Sequence, residues 1–193
     1  MLLGVLARLA AIDPLVQPVR VEGLHLTLQY LGAVNRDRLE SVRRLAAGVA
    51  AEASPFQIEL RGLGTFPGRD RPRVVWAGAG EEETGLDRLA AALRSGLRHE
   101  GWDLDRGPFR AHCTLARLPD RLSVGVVAAL AEVLGEGLGG ERVAVEVVKM
   151  FLLESVRSPD GPNRYPVRDR WKLGGPELAH HSKGRPNHSS RMG

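Results

Sequence analysis

Leu24-His25-Leu26-Thr27-Leu28-Gln29-Tyr30-Leu31-Gly32 is the stretch whose reading decides the fold, because it is answered later by Ala111-His112-Cys113-Thr114-Leu115-Ala116-Arg117-Leu118. Side chains of a β-strand alternate faces with a period of two. His25 and Thr27 therefore point one way while Leu26 and Leu28 point the other. His112 and Thr114 repeat that pattern against Cys113 and Leu115. Each copy is predicted to be a buried strand that presents an imidazole and a hydroxyl to one surface. If those surfaces face each other, two histidines and two threonines share a cleft.

Outward from these stretches, apolar spacing predicts the remaining elements. Met1 to Ala11 reads as an amphipathic helix on Leu2, Leu3, Leu6 and Leu9. Asp13 to Val21 holds two prolines and reads as a connection with extended pieces. After the first His-x-Thr strand, Asn35 to Ala53 is a helix, N-capped by Asn35, with Leu39, Val42, Leu45, Ala46 and Val49 three or four apart. Its outer face carries Arg36, Arg38, Arg43 and Arg44, which reads as an ordinary solvated surface rather than a phosphate contact. Phe56 to Leu60 alternates as a strand that Gly62 to Gly68 breaks, and Arg73 to Gly78 is its antiparallel neighbour.

Leucines 86, 89, 93 and 97 define a helix from Thr84 to His99. His99 suits the negative end of that helix dipole, a plainer role than catalysis. The second His-x-Thr strand spans Phe109 to Leu118, followed by a helix from Val124 to Leu134 and one long strand from Arg142 to Glu154. A turn at Ser158-Pro159-Asp160-Gly161-Pro162 leads into an extended segment, Tyr165 to Leu173. Residues 1–173 are thus expected to form one domain, and residues 174–193 a disordered tail of Gly, Pro, Ser, His and charge. His180, His181 and His188 lie in that tail, where no packed frame would support a metal site.

A chain of 193 residues, 43% hydrophobic and 26% charged, is long enough for a sizeable core and ordinary for a globular protein. No apolar run reaches the length that spans a bilayer, and Met1 to Ala11 lacks the pattern of a secretory leader, so a cytoplasmic, membrane-free protein is expected. Cys113 is the sole cysteine, which excludes an intramolecular disulfide, and the period of two turns it into the core. The net charge of +4 suits an anionic partner without identifying one.

Two imidazoles beside two hydroxyls suit general acid and base catalysis. Histidine titrates near neutral pH, so one ring can take a proton while the other gives one. Thr27 and Thr114 could donate hydrogen bonds to the non-bridging oxygens of a phosphoryl group. A zinc site is the competing chemistry, but no cysteine or carboxylate stands at a ligand spacing beside either motif. No Walker-type glycine loop is present, so no nucleoside triphosphate need be consumed, and with no third metal ligand beside the histidines no cofactor is expected.

On Leu24 to Gly32, Gly62 to Pro67 with Arg73 to Gly78, Phe109 to Arg117, and Phe151 to Ser155 with Asp160 to Tyr165, the chain resembles the 2H phosphoesterases. Within them it resembles the bacterial RNA 2′,3′-cyclic phosphodiesterases, or 2′-5′ RNA ligases. The resemblance implies an α+β fold of two pseudo-twofold-related lobes, with antiparallel sheets lining a central cleft and helices outside. It implies that the RNA 2′,3′-cyclic phosphate is opened to a 2′-phosphate, with His25 as proton donor and His112 as proton acceptor. Thr27, Thr114 and Arg117 would then bind substrate. RNA ends, tRNA fragments among them, would be the partners of a monomeric enzyme, and 2′-5′ ligation would be the reverse reaction.

Arg117 stands three positions after Thr114, so a regular strand would turn it to the wrong face, and its implied place requires a bend. The family pattern also sets an apolar strand ahead of the first helix, where Met1 to Ala11 already reads as that helix, and proline where this chain has Ala111. Two other functions fit the same residues. One is a phosphodiesterase for small cyclic nucleotides or 2′-5′ oligonucleotides, and the other is a non-catalytic RNA-end binder. Two complete His-x-Thr pairs favour an enzyme, and aromatic content of 5% leaves few rings on which a long single strand could stack.

Overall fold

The computed structural model of the chain describes residues 2–79, 85–140, 142–158 and 162–174. Four helices form where the apolar spacing places them. Helix α1 (Leu2–Ile12) buries Val5, Leu6 and Leu9 and leaves Leu3 exposed. Helix α2 (Arg36–Glu52) starts at Asn35, whose side chain accepts from the Arg38 amide at 2.9 Å and satisfies one of the free amides of the first turn. Helix α3 (Gly85–His99) buries Leu86, Leu89, Leu93 and Leu97 along one stripe. Helix α4 (Val124–Glu136) is capped by Ser123, which accepts from the Val126 amide at 3.3 Å.

Strands β1 (Gln17–Pro18), β2 (Phe56–Phe66), β3 (Val74–Ala79), β4 (His112–Arg117) and β5 (Val143–Val147) form an antiparallel sheet in the order β1-β4-β3-β2-β5. Strands β6 (Lys149–Leu153) and β7 (Val167–Lys172) pair antiparallel in a second sheet. Helices α1 and α4 cover one face of the larger sheet, burying Leu9, Val75, Leu115, Leu130 and Val133 in a common core. Leu9 and Leu115 are fully buried, and each such side chain contributes about 1.5–3 kcal/mol. Helices α2 and α3 bury Ala46, Ala50, Leu89 and Leu93 with Met150, Trp171 and Leu173 of the smaller sheet region. The architecture is therefore α+β, with antiparallel sheets in two lobes and helices outside. The lobes are unequal, one with five strands and the other with two.

Three strand expectations are corrected. Leu24 to Leu31 is extended but is not a ladder-forming strand, since its one β-bridge joins Leu26 to Cys113. Side-chain alternation alone does not make a strand; a paired neighbour does, and this segment has one at a single residue. Packing preserves the alternation, because Leu24, Leu26 and Leu28 lie against the core of the larger sheet. Strand β2 is not broken after Leu60 but runs to Phe66. Gly62, at φ +62°, absorbs one extra residue as a bulge between Arg61 and Leu63, a conformation that a residue without Cβ adopts freely. The run from Arg142 to Glu154 is two strands, because the chain changes sheets at Val148: β5 pairs with β2, and β6 with β7.

Pro159, Asp160 and Gly161 of the expected turn, Thr84 of the expected helix, and residues 175–193 of the tail with its histidines lie outside the described residues. Arg43 and Arg38 are less free than their surface setting suggests. Arg43 donates to Asp169 at 2.8 Å, tying α2 to β7, and the Arg38 guanidinium lies 4.8 Å from the centre of the Trp102 ring. Among the described residues no helix is long and apolar enough to cross a membrane.

Candidate active site

His25, Thr27, His112, Thr114 and Arg117 line one cleft of about 1330 Å³ between the two lobes. The single bridge between Leu26 and Cys113 brings the two histidine segments together, and it is antiparallel. In that register Thr114 stands beside His25 and Thr27 beside His112. Cys113 is buried and faces the core, as its place in the alternation requires.

Both imidazoles are held in the same way. His25 Nδ1 is 2.7 Å from the carbonyl oxygen of Gly23, and His112 Nδ1 is 2.7 Å from that of Arg110. In each copy the partner carbonyl is two residues upstream. A carbonyl only accepts, so Nδ1 carries a proton in both rings, and Nε2 is left as the atom that gains or loses one. The half-buried rings are supported from the side. Phe66 meets His112 edge-on with centroids 4.9 Å apart, and Trp76 stands 6.3 Å from the same ring. Tyr165 packs against His25 at 4.6 Å.

Arg117 reaches the cleft because β4 is bulged. Val75 pairs with Ala116 but Trp76 pairs with Thr114, which leaves Leu115 as the extra residue. Leu115 and Ala116 are consequently both buried, and Arg117 returns to the face of His112 and Thr114. The required bend is present. Arg117 donates to the Tyr165 hydroxyl at 3.3 Å, so Tyr165 touches His25 with its ring and Arg117 with its oxygen.

Sequence reasoning missed Tyr165, Phe66 and Trp76 as elements of the site. An aromatic residue in an extended run reads as core, and nothing in the local spacing of Tyr165 shows that β6 and β7 carry it to His25. Gly64 holds the other clue: a Cβ there would stand 2.3 Å from the Trp76 ring, so the glycine admits the indole that backs Phe66 and His112. Cleft-lining Arg168 is paired with Glu154, and Arg43 with Asp169 and Glu40, whereas Arg117 makes no ion pair among the described residues. No group of three or more histidine, cysteine or carboxylate side chains among the described residues is arranged to hold a metal ion.

The chain is similar to known proteins in both sequence and fold. Residues 7–158 match the sequence profile of the 2′-5′ RNA ligase superfamily. An RNA 2′,3′-cyclic phosphodiesterase of Aeropyrum pernix is 33% identical over 144 residues, which is 75% of this chain and 79% of that protein. A crystal structure of the Thermus thermophilus protein TT0787 superposes with a TM-score of 0.70 at 29% identity, covering 90% of each chain. E. coli LigT complexed with 3′-AMP superposes with a TM-score of 0.67 at 26% identity, covering 89% of this chain and 92% of LigT.

Proposed function

Because the chain belongs to the 2′-5′ RNA ligase superfamily, we propose that it hydrolyses the 2′,3′-cyclic phosphate at RNA ends to a 2′-phosphomonoester. The observation that carries this reading is the duplicated histidine: two imidazoles, each with Nδ1 on a carbonyl, leave two Nε2 atoms for one cleft. A binding site needs anion contacts but no matched acid and base. A hydrolase that adds water across a P–O bond needs both.

Neutral His112 takes a proton from water at Nε2 as the water oxygen attacks phosphorus. The P–O3′ bond breaks, and protonated His25 gives its Nε2 proton to the leaving O3′. The products are a 2′-phosphomonoester and a 3′-hydroxyl, and one proton exchanged with solvent returns the two rings to their starting states. Thr27, Thr114 and Arg117, which makes no ion pair among the described residues, face the same cleft and would stabilise charge on the non-bridging oxygens. Replacing water by the 5′-hydroxyl of a second RNA, with the same two histidines in the same roles, gives a 2′-5′ bond, a transfer parallel to the hydrolysis rather than the reverse of it. RNA fragments with cyclic ends, tRNA pieces among them, fit this chemistry.

The test is incubation of a short RNA bearing a 2′,3′-cyclic phosphate in EDTA and without ATP, with the position of the product phosphate assigned. A 2′-phosphate formed by the wild type and lost in both histidine variants is expected. No turnover by a folded sample that still binds RNA ends would replace this reading with a non-catalytic binder.

A further inference from the structure

A second concavity lies away from the histidine cleft. It is about 410 Å³ in volume and is lined by Ala91, Arg94, Ser95, Arg98, Arg106 and Gly107. Arg94 and Arg98 are one turn apart on α3, an arrangement in which like charges repel and destabilise a helix. Arg106 comes to the same hollow from the loop after α3. The negative end of the α3 dipole accounts for the basic residues of its last turn, Arg98 and His99. It does not account for Arg106.

The three guanidinium groups are not equivalent. Arg94 is used internally: its Nη2 donates to the carbonyls of Asp105 and Gly107, at 2.9 Å for the latter, and so fixes the loop wall. Asp105 turns its carboxylate to the Gly107 amide at 3.0 Å. Arg98 and Arg106 are exposed, and their guanidinium groups have neither a hydrogen bond nor an ion pair among the described residues. Two free guanidinium groups and the Ser95 hydroxyl thus border one hollow in which no carboxylate is a lining residue. Planar guanidinium forks match phosphate oxygens.

We propose that this hollow is a second phosphate site, which takes a backbone phosphodiester of the RNA whose cyclic end lies in the histidine cleft. The proposal rests on the RNA-end reading of that cleft. Its position favours the same RNA over a separate ligand. Gly107 precedes His112 by five residues, so the two lie at most roughly 18 Å apart along an extended chain, within reach of an RNA of a few nucleotides. The loop that Arg94 clamps also leads into Arg110, whose carbonyl holds His112. Backbone contacts of this kind add affinity without reading sequence.

The test uses the full chain and a ladder of RNAs with 2′,3′-cyclic ends, from a dinucleotide to an octanucleotide. The variants are Arg98→Ala/Arg106→Ala and Arg98→Lys/Arg106→Lys. With the alanine pair, KM for the octanucleotide should rise about tenfold while kcat and all dinucleotide kinetics stay unchanged, and the lysine pair, which keeps the charge without the fork, should recover part of the loss. The salt dependence of kcat/KM on the octanucleotide should weaken by a slope of about 0.7, for one backbone phosphate on a single strand. Equal KM values and salt slopes for wild type and the alanine pair at every length would overturn the proposal. So would dinucleotide turnover that responds to added inorganic phosphate in the wild type but not in the alanine pair, because the hollow would then serve a free anion. If no cyclic end is turned over at all, the cleft reading fails separately. Fluorescence anisotropy of the same RNAs then decides the hollow, with length-dependent weakening in the alanine pair supporting it and equal affinities overturning it.

Discussion

Leu26 pairs with Cys113 in an isolated antiparallel bridge, and that pair is the centre about which the two histidine segments are related. A half-turn about it exchanges His25 with His112 and Thr27 with Thr114. The histidines become diagonal neighbours, which in an antiparallel pair stand about 7–8 Å apart at the backbone. A phosphoryl group between two such rings can meet one Nε2 on its attacked side and the other on its leaving side. On the proposed reading, the local twofold supplies an acid and a base from one repeated structure.

In the proposed mechanism, removing either ring removes one proton transfer. His25→Ala and His112→Ala should each lower kcat by about 10²–10⁴-fold on an RNA cyclic phosphate, and the double variant should be far less impaired than the product of the two. Both rings are half-buried at the cleft wall, so thermal unfolding of the single variants should stay close to that of the wild type. The pH profile of kcat/KM should show two limbs, with a different limb flattened in each single variant. A single variant with undiminished turnover would show that its ring is not a proton carrier.

Tyr165 couples the two halves of the site through separate atoms. Tyr165→Phe keeps the ring on His25 and removes the hydroxyl that Arg117 meets. A net hydrogen bond of about 0.5–1.5 kcal/mol predicts a KM raised about 2–12-fold with kcat nearly unchanged. Tyr165→Leu also removes the ring contact, so kcat should fall as well. Steady-state kinetics on one cyclic-phosphate substrate separate the two effects, and equal kinetic constants for both variants would show that the ring contact does not orient His25.

How much of this was legible beforehand follows from which features are local. The helices were legible because their apolar stripes and the Asn35 cap are written in consecutive residues. The histidine face was legible because a period of two is local as well. The bulge at Leu115 was foreseen only as a requirement on Arg117, since a bulge is set by the partner strand and Val75 and Trp76 lie about forty residues away. The sheet change at Val148 and the meeting of Tyr165 with His25 are tertiary facts. The run from Val143 to Leu153 carries no mark of which sheet each half will join.

Gly64 tests whether the aromatic wall matters to the chemistry. In Gly64→Ala the new Cβ overlaps the Trp76 ring, which must shift from its place beside Phe66 and His112. Overpacking of this kind costs about 1–3 kcal/mol, so a lowered urea midpoint is expected. Turnover should also fall, because His112 loses its fixed neighbours. Gly62→Ala is the control: its cost comes from φ +62° alone, with open space around the new Cβ, so it should lose stability but keep kcat. Equal kcat in the two variants would detach the aromatic wall from His112.

Cys113 gives the pH dependence with the clearest sign. Burial beneath the histidine face pushes its thiol up, with a smaller opposing effect from the His25 backbone. The folded state therefore holds the thiol proton to higher pH than the unfolded chain, whose thiol titrates at about 8.5. The resulting stability is fully present below that value and is lost as pH rises towards the folded pKa, by at most about 1.4 kcal/mol per pH unit. Cys113→Ala removes this contribution, so the wild type should lose more stability than the variant between pH 8 and pH 10. Urea titrations at both pH values measure the difference, and parallel losses would mean that the thiol is not shielded. The same burial predicts that iodoacetamide modifies Cys113 in urea but not in the native protein. Alkylation at the native rate of a free thiol would place the sulfur in the cleft rather than in the core.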